Sequence, residues 1–403
     1  MISKLFRLAT IPFAMAISFG AQAQISDNEV RIGVLTDMSG PYSVFGGKGS
    51  VVATNLAIED CLKAECKGMK IKVLSADHLN KADIAASKAR EWLDVDKVDA
   101  FADLTNSAAA ISVQKLMREK GAIGLFNGPG TTRLTNDECA PNSFHWMFDT
   151  YSASAGAAAA LTRAGAKSWY FITVDYAFGL SLEKDATEQV KVNGGSVVGS
   201  VKHPLNASDF SSFLLQAQSS KAEMIGLANS TSDAINAIKA AREFGIGKNQ
   251  KLAALLLNIT DVHALGLPLA QGLVFSEGYY WNHDEQTREF AARFEKIHKA
   301  KPNQVHAGVY SSVLHYLKSV AAAKTDEANA VSAKMRELPI KDAVMRNASI
   351  RPDGRVIHDM YLVEVKKPEE SKGAWDYYKL RATIPADKAF QPLAQSQCPL
   401  VKK

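Results

Sequence analysis

Val30-Arg31-Ile32-Gly33-Val34-Leu35 runs directly into Thr36-Asp37-Met38-Ser39-Gly40-Pro41-Tyr42. The first six residues are nearly continuous in apolar side chains, as a strand buried on both faces requires. The next seven bring hydroxyls, a carboxylate, glycine and proline, the composition of a loop. A helical pattern follows over 51–62, so the unit reads strand, loop, helix. The unit recurs. Strands are expected at 69–75, 98–104 and 122–126, with helices at 82–93 and 108–119. A second series after Thr150 places strands at 169–174, 196–201, 224–228, 252–257 and 273–276, with helices at 180–192, 210–218 and 233–244. Such alternation produces parallel sheets with right-handed crossovers. The fold class is therefore α/β: two similar doubly wound parallel-sheet lobes with a ligand cleft between them.

Beyond these series the alternation stops. Residues 285–298 and 305–323 read as helices. Arg351-Pro352-Asp353-Gly354-Arg355 reads as a tight turn, since Pro fixes φ and Gly permits positive φ. Alternation through Ile350, Val356, Met360, Leu362 and Val365 makes it a hairpin followed by further strand. The chain then crosses between lobes several times. Residues 24–148 with about 279–345 are expected in the first lobe, and 149–278 with about 346–403 in the second.

The N-terminus reads as a secretory signal. Lys4 and Arg7 precede an apolar stretch over 8–20, too short to span a bilayer, and Ala21-Gln22-Ala23 supplies a cleavage site. The competing reading is an amphipathic N-terminal helix. Cleavage after Ala23 removes Lys4 and Arg7 from 47 cations, leaving 45 against 42 acids, a net +3. That mild charge, with no Lys/Arg block, argues against nucleic acid as a partner. A 47% hydrophobic and 22% charged chain of 403 residues has ample material for cores and excludes a disordered or collagen-like protein. Four cysteines in an exported chain imply two disulfides, with Cys61 pairing Cys66 and Cys139 pairing Cys398, against free buried thiols as the alternative.

In open parallel sheets, ligands bind beyond the carboxyl ends of the strands. Those ends carry Tyr42 and Phe45, Asp77, Asn106 and Ser107, then Gly128-Pro129-Gly130-Thr131 in the first series. In the second they carry Tyr176 and Phe178, Asn229 and Ser230, Asn258, then Glu277 and Tyr280. Hydroxyls, amides, bare backbone and rings suit a small polar ligand with an apolar body. Plainer roles compete. Ser107, Ser230 and Asp77 are natural helix caps, Gly128 and Gly130 turn residues, and Arg133 a solvated cation. Motifs for an α/β-hydrolase, a zinc protease or a dinucleotide fold are missing, and Gly46-Gly47-Lys48-Gly49 fits a phosphate loop only loosely. The nine His residues do not recur at helical spacing, so no metal and no cofactor is expected.

Ile32 to Pro41 with Gly46, Tyr280-Trp281-Asn282 with Asp284 and Thr287-Arg288, and Arg351 to Arg355 with Met360-Tyr361-Leu362 resemble periplasmic solute-binding proteins of the leucine/isoleucine/valine-binding family, over essentially the whole mature chain. The resemblance implies a monomeric, non-catalytic periplasmic receptor that hands a small organic solute to permease subunits of an ABC importer in the inner membrane. It implies ligand roles for Phe45, Asn106 or Ser107, Gly128 to Thr131, Tyr176 or Phe178, and Asn229 with Ser230. Amino-acid binders of this family carry an acid near the position of Asn258, where this chain reads Leu256-Leu257-Asn258-Ile259-Thr260. A small carboxylate, aromatic or otherwise apolar in body, is accordingly expected ahead of an amino acid. A sensory receptor and an exported enzyme are the rival functions.

Overall fold

The computed structural model describes residues 24–247 and 250–402; the expected signal segment, 1–23, lies outside them. The first series contains β1 (Val30–Thr36), α1 (Gly47–Lys63), β2 (Ile71–Asp77), α2 (Ala82–Asp94), β3 (Ala100–Asp103), α3 (Ser107–Lys120), β4 (Ile123–Phe126) and β5 (Ser143–His145). The second contains α4 (Thr150–Arg163), β6 (Ser168–Val174), α5 (Ala177–Val192), β7 (Ser196–His203), α6 (Ser211–Ser219), β8 (Met224–Ala228), α7 (Thr231–Glu243), β9 (Lys251–Ala254), α8 (Ile259–Leu265), α9 (Leu267–Ala270) and β10 (Val274–Glu277). Then come α10 (Glu285–His298), α11 (Gln304–Ala323), α12 (Ala328–Glu337), β11 (Ser349–Ile350), β12 (Val356–Ile357), β13 (Met360–Val365), β14 (Tyr378–Ile384) and α13 (Ala386–Ala389).

The first sheet is parallel, in the order β2-β1-β3-β4-β5. Its central strand β1 explains the unbroken apolar run. Ile32 and Val34 join a cluster with α1 and α11, while Leu35 and Gly33 meet Trp92 of α2 on the opposite face. The edge strand β2 is only half-buried and carries Lys72, a charge that discourages edge pairing. The second sheet is also parallel, in the order β7-β6-β8-β9, and its edge strand β7 alternates exposed and half-buried side chains. Glycines at 46, 47 and 49 belong to the start of α1. A Cβ at Gly49 would run into the His306 ring, so that glycine lets α1 and α11 approach closely.

One expected strand moves. Residues 273–276 do not extend the second parallel sheet. β10 pairs antiparallel with β13, which pairs with β14 in a separate three-stranded sheet. The ladder partner of β10 is β13, which the chain supplies only after the hairpin at 351–355 and in the opposite direction. The turn at 351–355 forms as expected, with Gly354 at φ 82° and Ile350 opposite Val356.

Arg355 ties the segment leaving β5 to the one entering β12. Its fully buried guanidinium donates to Trp146 O (2.9 Å), Phe148 O (3.0 Å) and Val356 O (3.1 Å). Asp149 lies 3.5 Å away, and the Phe390 ring lies beneath at 4.3 Å. His358 Nε2 meets Met147 O at 2.6 Å, so the same pair of segments is joined twice. The tail returns to the first lobe, where Cys139 bonds Cys398; Cys61 bonds Cys66, and both expected pairings are present.

Replacing Arg355 with Met keeps the volume but removes the side-chain donor from three carbonyls and leaves Asp149 without its cation. The expected loss is about 3–5 kcal/mol of unfolding free energy by urea titration. A change within about 0.5 kcal/mol would overturn this account of the hinge.

Candidate functional site

The loop after β1 is shaped by one buried carboxylate. Asp37 accepts from the amides of Ser39 (3.3 Å), Gly40 (2.7 Å) and Tyr42 (2.8 Å) and from the Asn80 side chain. The far end is held from α11, where Asn303 Nδ2 donates to Phe45 O (3.0 Å) and His306 Nε2 to Gly46 O (3.0 Å). Both ends being fixed, the loop presents Tyr42 and Phe45 to the second lobe, each only 3% exposed. Beneath it, Asp103 accepts from Thr36 Oγ1 (2.8 Å) and Ser50 Oγ (2.6 Å), and burial pushes its pKa up to about 6.

The lobes meet at named pairs. Tyr42 and Tyr176 share a hydroxyl–hydroxyl hydrogen bond of 2.6 Å, with the Ser230 hydroxyl beside Tyr42. Thr131 Oγ1 meets Ser181 Oγ at 2.6 Å. Asp185 of α5 accepts from Thr132 (3.2 Å) and Thr150 (2.6 Å). Phe45 lies 5.9 Å from Phe148, and a Cβ at Gly130 would sit 3.0 Å from the Phe178 ring. Tyr42, Phe45, Gly130, Thr131, Tyr176, Phe178 and Ser230 thus converge where the lobes meet.

Other sequence candidates are already engaged. Asn106 Oδ1 caps α3 through the Ala108 and Ala109 amides, and Ser107 Oγ accepts from Thr131 N at 3.3 Å. Gly128 packs against Asp103 and Thr105, and Pro129 O meets His145 Nε2 at 2.7 Å. Asn258 uses both ends of its amide, accepting from Gln304 (2.9 Å) and donating to Asp261 (3.1 Å). Asn229 meets His203 at 3.0 Å through Nδ2, while its buried Oδ1 has no partner. Tyr280 packs on Tyr378 at 5.2 Å between ring centres. Arg133 pairs with Asp137 and Glu138, and Asp77 accepts from Ser39 and Leu79. Among the described residues no cluster of His, Cys, Asp or Glu could hold a metal ion.

A family model described as periplasmic binding protein matches residues 29–374, most of the chain. The chain belongs to the periplasmic binding protein family. This periplasmic binding protein is similar to one from Burkholderia mallei, at 49% identity and TM-score 0.91 over 93% of this chain and 100% of that one. It is similar to a branched-chain amino acid ABC transporter periplasmic ligand-binding protein from Burkholderia xenovorans, at 39% identity and TM-score 0.81 over 92% and 99%. A Leu/Ile/Val-binding protein homolog from Brucella suis is 25% identical over 89% of this chain and 93% of its own length. The leucine-binding resemblance, the two-lobed α/β fold and the role of solute-binding component of an ABC importer are borne out by these matches.

Sequence reasoning missed the polar residues of this binding protein that join its lobes. Asp233 follows Ser230 by three residues, the spacing of a capping box. Its carboxylate instead accepts the amides of Asn206 (3.1 Å) and Ala207 (2.9 Å), and the N-cap Ser230 gives α7 no side-chain cap either. Burial pushes Asp233 up to about 6 and Asp185 up to about 7.

Two expectations follow for this binding protein. Tyr42→Phe or Tyr176→Phe removes the phenol bridge, worth about 0.5–1.5 kcal/mol, and weakens ligand binding roughly three- to tenfold in calorimetry. Unchanged affinity in both variants would refute a closing role. The second concerns pH. Parting the lobes admits water to Asp185, relieves the burial that raises its pKa, and returns it toward ordinary carboxylate behaviour near pH 4. The joined form then holds more protons between about pH 4 and 7, so closure is favoured as pH falls and lost as it rises through 7. The same sign applies to folding, which a carboxyl with a raised pKa opposes at high pH. Affinity should be several-fold tighter at pH 5.5 than at pH 8, with a flatter profile in Asp185→Asn; an opposite slope would refute the linkage.

Proposed function

We propose that the chain captures a small organic carboxylate with a flat apolar body between its lobes and delivers it unchanged to ABC permease subunits. One observation carries the ligand class. α5 and α7 both begin at the lobe junction without a side-chain cap, beside Phe178, Tyr176 and Tyr42. Uncapped helix starts offer unpaired amides and a positive dipole end to an anion. The buried, partnerless Thr231 Oγ1 and Asn229 Oδ1 lie at the same start of α7. Phe45, Phe148 and Phe178 supply walls for a ring.

The proposal includes a non-enzymatic monomer, cleaved after Ala23 and released to the periplasm. It includes a division into 24–148 with 279–345 and 149–278 with 346–403, the end of the tail crossing back to Asn136 and Cys139 of the first lobe, with the hinge at the segments tied by Arg355. Ligand contact is assigned to Tyr42, Phe45, Ser107, Gly130, Thr131, Tyr176, Phe178, Asn229 and Ser230. Asn106, Gly128, Pro129, Asn258 and Tyr280 are assigned to the frame behind them. A second reading, an amino acid, is favoured by Asp233, a buried carboxylate near the start of α7 whose charge reaches the Tyr42 and Tyr176 phenols and would neutralise an ammonium.

Calorimetry against 4-hydroxybenzoate, cinnamate, leucine, valine and isobutyramide separates these readings. Micromolar binding of an aromatic acid without response to leucine is expected. Leucine binding that Asp233→Asn abolishes would replace the carboxylate with the amino acid. Recovery of a chemically altered ligand would count against a receptor.

A further inference from the structure

Outside the lobe junction, one recess joins an aromatic wall to a spare cation. It has a volume of about 400 Å³, with Trp281, Lys366, Lys372, Gly373 and Asp376 among its lining residues. None of the ligand-contact residues assigned above lines it.

Its lip is held in a costly conformation. Trp375 has φ 69°, a left-handed backbone in which a bulky residue is an outlier, at a cost of order 1–3 kcal/mol. The surroundings enforce it. The Trp375 ring stacks on His263 with centres 4.0 Å apart and planes 7° from parallel, and His263 Nδ1 meets Tyr377 OH at 2.7 Å. The Trp375 carbonyl accepts from Trp281 Nε1 at 2.9 Å, which fixes the indole that walls the recess. Lys301 sits 4.4 Å from the Trp281 ring centre and is itself paired with Glu295 at 2.6 Å.

The charges do not cancel. Asp376 is occupied by Lys366 Nζ (2.6 Å) and by the Lys372 amide (2.9 Å). Among the described residues no carboxylate lies within 4 Å of Lys372 Nζ; the charge of Asp376 reaches it only at longer range and is already paired with Lys366, so the recess keeps a net cation. Gly373 adds backbone without a side chain, which leaves room for close approach. A fixed ring, a free cation and bare backbone are complementary to a planar molecule with one negative group.

We propose that this recess is a second ligand site, separate from the cleft, for a flat, singly anionic aromatic molecule. The volume fits one or two fused rings. The probe is 2-naphthoate, followed by calorimetry and tryptophan fluorescence on the mature protein. Lys372→Ala should weaken the phase that quenches tryptophan at least fivefold, while Phe178→Ala leaves that phase unchanged. The uncharged 2-naphthamide should bind that phase at least fivefold more weakly in the wild type and be indifferent to Lys372→Ala. Lys372 is exposed, so its variant tests the charge without disturbing the fold. Binding that Phe178→Ala abolishes, or that Lys372→Ala leaves intact, would overturn the proposal, as would no binding at millimolar probe.

Discussion

A guanidinium removed from water governs this molecule. Arg355 is placed by a five-residue turn whose Gly354 takes a positive φ, and that turn belongs to the segment running into the sheet of β10, β13 and β14. Its donors end on Trp146 and Phe148, in the segment leaving the first sheet. Burial pulls its pKa down to about 10, so it stays charged, and the cost of burying that charge is offset by three carbonyls, Asp149 and an aromatic face. The joining segments can bend, but they must bend together around this point. Contacts across the cleft, such as Tyr42 with Tyr176, depend on that shared pivot for their register.

Much of this was legible because buried parallel strands and tight turns leave strong marks. β1 reads as apolar because helices cover both its faces. The loop after it reads as functional because Asp37 and Gly40 are both needed to turn the chain, the carboxylate taking three amides. Gly354 was readable for the same reason: only one residue type fits its φ without strain.

What was hidden are matters of partner choice, which local sequence does not carry. β10 has the composition of any buried strand, and only β13, more than eighty residues later, makes it antiparallel. Asn258 looks like a ligand amide until Gln304, from the far side of the junction, takes its oxygen. Asp233 looks like a helix cap until the Asn206 and Ala207 amides draw it away. In each case a long-range contact outcompetes the local one, because a buried polar group takes whichever partner the fold delivers. The residues at the lobe junction divide along the same line: aromatic rings were findable by position, while Ser181 and Asp185 lie within a helix pattern with nothing local to mark them.

The bond between Cys139 and Cys398 sets an order of events. Cys61 and Cys66, five positions apart, are neighbours as soon as α1 ends, so their oxidation needs no distant structure. Cys139 must wait for a partner 259 positions later, after every strand of both sheets has been supplied. During that interval it is a thiol in an oxidising compartment, with the earlier pair as the only disulfide within reach. Early closure of Cys61 with Cys66 therefore does more than staple a helix end: it withdraws two competitors, so that the late thiol finds its proper mate.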